Sequence, residues 1–241
     1  MALPHWMART EVLLGEEKIQ NLLKANVLVV GLGGVGGICA EMIARSGVGK
    51  MTIVDADVVE ATNRNRQVPA LISTDGQLKS EVMAQRIKDI NPDIELTIIS
   101  EFIRDERTNE ILDTGKFDYA VDCIDTLSPK VFFIKACLDR NIPLVSSMGA
   151  GGKFDPTKVE VIDISETYQC NLAKYVRKRL RKYGVNKGFK VVFSPEAADQ
   201  SRIFESEKAY PKKSVIGTIS YMPAAFGITC ASVVVRELLE K

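Results

Sequence analysis

Gly31-Leu32-Gly33-Gly34-Val35-Gly36 follows the apolar run Val27–Val30 and opens a helical pattern. Glycines so placed let backbone N–H groups close on a phosphate at a helix N-terminus. Asp55 lies 19 residues beyond Gly36, at the end of Met51-Thr52-Ile53-Val54. That is the spacing at which a carboxylate accepts hydrogen bonds from ribose hydroxyls, and alone the pair would suit a nicotinamide dinucleotide. The following residues ask for more charge: Asp57, then Asn63-Arg64-Asn65-Arg66-Gln67, then Lys79. A triphosphate attacked at its α-phosphorus gathers negative charge as pyrophosphate leaves, and fixed cations such as Arg66 and Lys79 stabilise that charge in the transition state. Asp122-Cys123-Ile124-Asp125 closes another apolar run, and Asp125 is placed to hold Mg²⁺, which takes one or two carboxylates besides substrate phosphates. The alternative for Asp125 is an N-cap of the helix beginning near Leu127, and the two roles could fall one each to Asp122 and Asp125.

A second constellation is basic. Residues 171–190 hold eight lysines and arginines and no acid, while the whole chain is +1, so the remainder carries −7. Leu172, Tyr175, Val176, Leu180 and Tyr183 recur at helical spacing, which would leave Lys174, Arg177, Lys178, Arg181 and Lys182 on the other faces to meet the phosphates of a nucleic acid. Cys170 precedes this helix, where the helix N-terminus and nearby cations would lower a thiol pKa, making it the candidate for a catalytic or sulfur-handling thiol. His5, the single histidine, sits near a terminus and makes a poor catalytic base. The five cysteines include no Cys-x-x-Cys pair, which argues against a disulfide framework and a zinc site, and fits a reducing cytoplasm.

These groups need a scaffold that brings strand ends together. Short apolar runs alternate with amphipathic ones from Asn26 onward, the pattern of a doubly wound, mostly parallel α/β sheet of Rossmann type. Strands are expected at 27–30, 51–54, 95–99, 119–122 and 143–146, and helices near 11–24, 35–46, 76–90, 106–113 and 127–139. Residues 1–148 form this nucleotide-binding region. Residues 149–241 form a smaller C-terminal lobe, with a hairpin through Asp155-Pro156-Thr157, the basic helix, a polar stretch near 194–213 and a closing strand and helix. Ser214–Val235 runs 22 residues without a charge, long enough to cross a bilayer. Pro223, Gly217, Gly227 and the hydroxyl residues among them favour instead a buried strand near 215–222 and a helix from about 224, hence no membrane. The N-terminal residues lack the apolar core of a secretory signal.

Taken together, Gly31-x-Gly-Gly-x-Gly36, Asp55-x-Asp57, Asn63-x-x-Arg66-Gln67, Lys79 and Asp125 resemble the adenylation motifs of the ThiF/MoeB/HesA enzymes, within the ubiquitin-activating-like superfamily. The resemblance implies one continuous domain that binds ATP and Mg²⁺, with Asp55 on the ribose, Asn63, Arg66 and Lys79 on the phosphates, and Asp125 on the metal. It also implies a homodimer in which Arg9 reaches into the partner's ATP site. Ser146–Thr157, Cys170-x-Leu-Ala-Lys-x-x-Arg177 and Ser194-Pro-Glu196 are similar to the tRNA threonylcarbamoyladenosine dehydratases, which implies tRNA as the partner and an ATP-driven dehydration through an acyl-adenylate. A sulfur-relay protein is a further partner that this resemblance admits. Adenylation of a ubiquitin-like sulfur carrier, a nucleotide-binding module without turnover, and an NAD-dependent dehydrogenase remain as alternatives at this point.

Overall fold

The computed structural model describes residues 3–197, 203–205 and 214–240. Ala8–Leu14 (α1) and Glu16–Lys24 (α2) precede Asn26–Val30 (β1), and the glycine-rich turn leads into Gly36–Arg45 (α3). Lys50–Val54 (β2), Lys79–Ile90 (α4), Glu95–Ile99 (β3), Asp105–Gly115 (α5), Tyr119–Asp122 (β4), Leu127–Asp139 (α6) and Leu144–Ser147 (β5) continue the alternation. Glu160–Asp163 (β6), Asn171–Leu180 (α7), Lys190–Phe193 (β7), Ile203–Glu205 (β8), Ser214–Ile216 (β9) and Tyr221–Leu239 (α8) complete the described elements.

One sheet of order β3-β2-β1-β4-β5-β7-β6 organises the molecule, parallel throughout except that β6 runs antiparallel to β7. The residues past Met148 therefore extend the same sheet. Alternation along the strands divides the core in two. Val27 and Val29 join Met51, Ile53 and the buried sides of α3, α4 and α8, while Leu28 and Val30 join Val54, Ala120 and the buried sides of α5, α6 and α7. The register sets Val30 beside both Val54 and Asp122, and Asp122 beside Ser146, so the carboxyl ends of β2, β1, β4 and β5 lie in one row. The strand order reverses between β1 and β4, the place where a doubly wound sheet opens a crevice for a ligand.

Three expectations are corrected. The single helix over 11–24 is two, because Gly15 adopts φ +80°, a left-handed conformation that glycine reaches without a Cβ penalty and that breaks the helix. The hairpin at Asp155 does not form. The Asp155 carboxylate accepts the Thr157 N–H at 3.0 Å and caps a single 3₁₀ turn, and β6 finds its antiparallel partner in β7, on the far side of α7. The buried strand at 215–222 is instead the short β9, paired with β8 outside the main sheet; Ile216 is exposed, and part of the polar stretch at 194–213 lies outside the described residues. α8 starts at Tyr221, with Pro223 in its first turn where the missing N–H costs nothing. By length and composition α8 would cross a bilayer, yet it buries Met222, Phe226, Cys230, Val233 and Val234 against α3 and the sheet.

Candidate functional site

The crevice at the β1–β4 switch is shaped by missing side chains. Gly31 has φ +89°, and a Cβ there would meet the Cys123 carbonyl oxygen at 2.8 Å. A Cβ on Gly36 would lie 1.7 Å from the Gly31 carbonyl oxygen, so the turn closes only with glycine at both ends. Gly34 is as tightly placed, with Pro223 and the Arg66 carbonyl oxygen 2.9 and 3.2 Å from a Cβ built on it, while Gly33 faces the Gln67 amide. The Asp55 carboxylate, just past β2, accepts the N–H of Leu32 at 2.5 Å and of Asp57 at 2.8 Å. Burial raises the Asp55 carboxyl above the usual aspartate range, with the two N–H donors and Lys79 pulling the other way without cancelling it.

The charged segment after β2 folds over this turn. Lys79, the first residue of α4, is buried and bonded to Asp57 at 2.8 Å, and its backbone N–H reaches the Asp57 carbonyl at 3.0 Å. Asn63 is buried in a 3₁₀ turn, where its amide oxygen accepts the Glu60 N–H at 3.3 Å. Arg66 donates to the Thr62 carbonyl at 3.0 Å and to the Asn65 amide oxygen at 2.8 Å, and Asn65 ties the segment to the Thr218 carbonyl at 3.0 Å. The Gln67 side-chain oxygen is buried with no hydrogen-bond partner among the described residues, an orphan that a bound ligand's donor would satisfy. Gln67 belongs to the charged motif, but its type and spacing alone give it no role.

β4 ends in a group that the sequence does not announce. Asp122 is fully buried and accepts Lys130 Nζ at 2.8 Å, Ser146 Oγ at 2.6 Å and the Ile124 N–H at 3.0 Å. Burial raises its carboxyl despite Lys130, Ser146 and the Ile124 N–H. Lys130 is also fully buried, so this pair exists only because each charge satisfies the other. Its one sequence signal is a lysine beside Val131, Phe133 and Ile134 on an apolar helix. The N-cap position of α6 falls on Thr126 rather than on Asp122 or Asp125. Asp125, three residues past Asp122, is exposed. Among the described residues no group of three or more metal-ligating side chains forms a cage. A Mg²⁺ that arrives on nucleotide phosphates needs no cage, only one or two carboxylates, and Asp125 fits that requirement.

The ThiF family model matches residues 7–241, nearly the whole chain. The chain belongs to the ThiF family. Within it, the tRNA threonylcarbamoyladenosine dehydratase of Bacillus subtilis is 41% identical, covering 98% of this chain and 95% of that protein. The crystal structure of the Escherichia coli tRNA N6-threonylcarbamoyladenosine dehydratase in complex with ATP superimposes with a TM-score of 0.88 at 36% identity, covering 100% of this chain and 98% of that one. The sulfur carrier protein ThiS adenylyltransferase of Escherichia coli, by contrast, is 34% identical over only 56% of this chain and 54% of its own length.

Other residues singled out in this ThiF-family chain belong to α1 and to the segment from Cys170 through α7 and the 3₁₀ turn after it. Met7 packs on Gly47 beyond the C-terminal end of α3, whereas the turn is at the other end of that helix. A helix of this length spans about 15 Å, so Met7, and Arg9 two residues on from it, start from the end of α3 away from the glycine-rich turn. Cys170 occupies the N-cap position of α7 and is buried beside Lys153. Burial pulls the Lys153 ammonium below its usual range, with Cys170 and Glu196 pulling back, and Lys153 Nζ donates to the Glu196 carbonyl. The Glu196 carboxylate accepts the Phe154 and Asp155 N–H groups at 2.9 Å each, which pins the loop after β5. α7 buries Ala173, Val176 and Leu180, so its apolar face is narrower than the spacing suggests, and Tyr175 and Tyr183 are exposed among the cations. Lys174, Lys178, Arg181 and Lys182 are exposed as expected, but Arg177 is half-buried and donates to Thr167 Oγ1, so it is not part of the open basic face.

Proposed function

We infer that this protein is an ATP-dependent tRNA threonylcarbamoyladenosine dehydratase. The observation that carries this reading is similarity along the full length to dehydratases, including one with ATP bound, whereas the carrier-activating relative matches little more than half. ATP lies over the Gly31–Gly36 turn with its ribose on Asp55 and its phosphates toward Asn63, Arg66, Gln67 and Lys79. A carboxylate oxygen of the threonyl group attacks the α-phosphorus and pyrophosphate leaves. Arg66 and Lys79 meet the charge that grows on the departing phosphates. Mg²⁺, when bound through Asp125, supplies further neutralisation of that charge. A nitrogen of the same modified nucleoside then closes on the activated carbonyl carbon, loses its proton, and AMP departs, for the net loss of one water. The cations of α7 hold the tRNA.

Incubation of the protein with ATP and tRNA bearing threonylcarbamoyladenosine, followed by mass spectrometry of the nucleosides, is expected to show the dehydrated nucleoside and AMP in equal amounts. A carrier protein ending in Gly-Gly that stimulates ATP–pyrophosphate exchange, where modified tRNA does not, would overturn the reading.

Arg9 belongs to a homodimer in this proposal, since Met7 anchors its segment at the end of α3 away from its own chain's glycine-rich turn. Arg9→Ala should lower turnover more than ATP affinity, and mixing it with Lys79→Ala should restore activity, because one composite site of the heterodimer then collects both lesions. Mixed dimers without activity would exclude the shared site.

A further inference from the structure

An open groove of about 580 Å³ lies between the start of α6 and α7 with the 3₁₀ turn that follows it, lined by Leu127, Tyr175, Lys178, Arg179 and Lys182. Its size suits a small organic ligand or a single nucleotide. The lining combines one aromatic ring, one aliphatic side chain and three cations, with no carboxylate. Among the described residues, none of these three cations has an ion-pair partner, whereas on the same side of the sheet Arg107 pairs with Glu101 and Glu110, Lys135 with Asp139, and Arg140 with Asp113. Arg179 is tied to α6 by a 3.0 Å bond from its guanidinium to Ser128 Oγ. Tyr175 is 52% exposed, while its helix neighbour Val176 is fully buried. A lone exposed aromatic needs no explanation, but one set among three unpaired cations in a concave surface is the composition of a single-strand nucleic-acid site, ring for base and ammonium for phosphate.

The position of the groove fits that use. Leu127 begins α6 only two residues after Asp125, so one wall of the groove starts at the loop that follows β4. We propose that it is a subsite for one unpaired ribonucleotide next to the modified adenosine, with the base against Tyr175 and Leu127 and its phosphate between Lys178 and Lys182. The proposal rests on tRNA being the substrate and adds where and how the neighbouring nucleotide is held. Stacking on a π-face makes this subsite tolerant of base identity but dependent on a base being there.

The test uses the full chain and modified tRNA assembled by ligation, with each nucleotide flanking the modified adenosine replaced in turn by an abasic ribose phosphate. Tyr175→Leu should raise the KM for intact tRNA about fivefold or more, and Tyr175→Phe should leave it near wild type. ATP binding by each variant checks that it folds. One abasic substitution should weaken the wild type by a similar factor and the Tyr175→Leu variant hardly at all, since both changes remove the same stack. Lys178→Ala and Lys182→Ala should each make the log–log salt dependence shallower by about 0.7. Losses from Tyr175→Leu and every abasic site that simply add, or an unchanged KM in Tyr175→Leu, would overturn the subsite while leaving the dehydratase reading intact. A wild type that dehydrates no modified tRNA would overturn both.

Discussion

At the nucleotide crevice the buried lysines are spoken for, Lys79 by Asp57 and Lys130 by Asp122, whereas along α7 and the 3₁₀ turn after it Lys174, Lys178 and Lys182 face solvent with no ion-pair partner among the described residues. The two regions solve different problems. Chemistry on a phosphate needs groups fixed in advance, so each charge taken out of water must meet an opposite charge or a hydrogen bond. Capture of a polyanion needs a field that reaches outward, which works best with cations left hydrated and unpaired and which salt then weakens. Mutations in the first region should therefore act on turnover and stability, and those in the second on affinity and salt dependence.

The hardest test of that division is Asp125→Asn. It keeps the size of the side chain but removes the charge proposed to hold Mg²⁺ against the phosphates, so AMP formation should fall about a hundredfold or more with the fold intact. Near-normal AMP release at ordinary Mg²⁺ would remove Asp125 from the mechanism. Lys130→Met probes the scaffold beneath it. Removing one partner of a fully buried pair leaves the other charge uncompensated and should cost about 3–5 kcal/mol of folding stability. Adding Asp122→Asn to Lys130→Met should return part of that loss, because the stranded charge is then gone. A double variant less stable than Lys130→Met alone would mean that Asp122 is held mainly by Ser146 and the Ile124 N–H.

On the other side of the comparison, replacing Lys174, Arg181 and Lys182 by Glu should leave ATP binding unchanged and weaken tRNA binding. The salt slope should become shallower by about 0.7 to 0.9 for each phosphate that is no longer neutralised. Arg177 is left out because its bond to Thr167 makes it a structural residue. An unchanged slope would show that α7 is only a solvated face.

What can be read from the chain alone follows the range of the interactions. The glycine-rich turn and Asp55 are legible because φ, close backbone approach and a fixed spacing are local requirements, and the alternating apolar runs place the five strands β1 to β5 within a residue. β7 is harder, since only Val191, Val192 and Phe193 mark it and it directly follows the basic run. Lys130 and Ser146 acquire their meaning only when β4, β5 and α6 come together around Asp122. Helical spacing puts Tyr175 on the wrong face because two overlapping apolar stripes run along α7, and only packing against α6 selects Ala173, Val176 and Leu180.

The smallest expected effect is a pH dependence that separates stability from function at one residue. Burial lifts the Asp55 carboxyl above the usual aspartate range. Its folded value therefore exceeds its unfolded one, and its contribution to stability is fully present below the unfolded value and lost as pH rises through the folded one. The proposed binding of nucleotide by Asp55 runs the opposite way, because only the ionised carboxylate would accept ribose hydroxyls with both oxygens while keeping the Leu32 and Asp57 N–H bonds. As pH falls, the KM for ATP should begin to rise above the usual aspartate value, in a range where the protein is still folded. Asp55→Asn should raise the KM about tenfold at neutral pH, consistent with losing a hydrogen bond to a charged group, and should flatten that acid limb. The same substitution should remove one part of the acid-side stability slope and leave the part due to Asp122, whose carboxyl is raised in the same direction. A wild-type KM that stays flat through the acid range while the protein remains folded would show that Asp55 does not bind nucleotide in its charged form, and the ribose acceptor would then have to be sought among the other groups at the crevice.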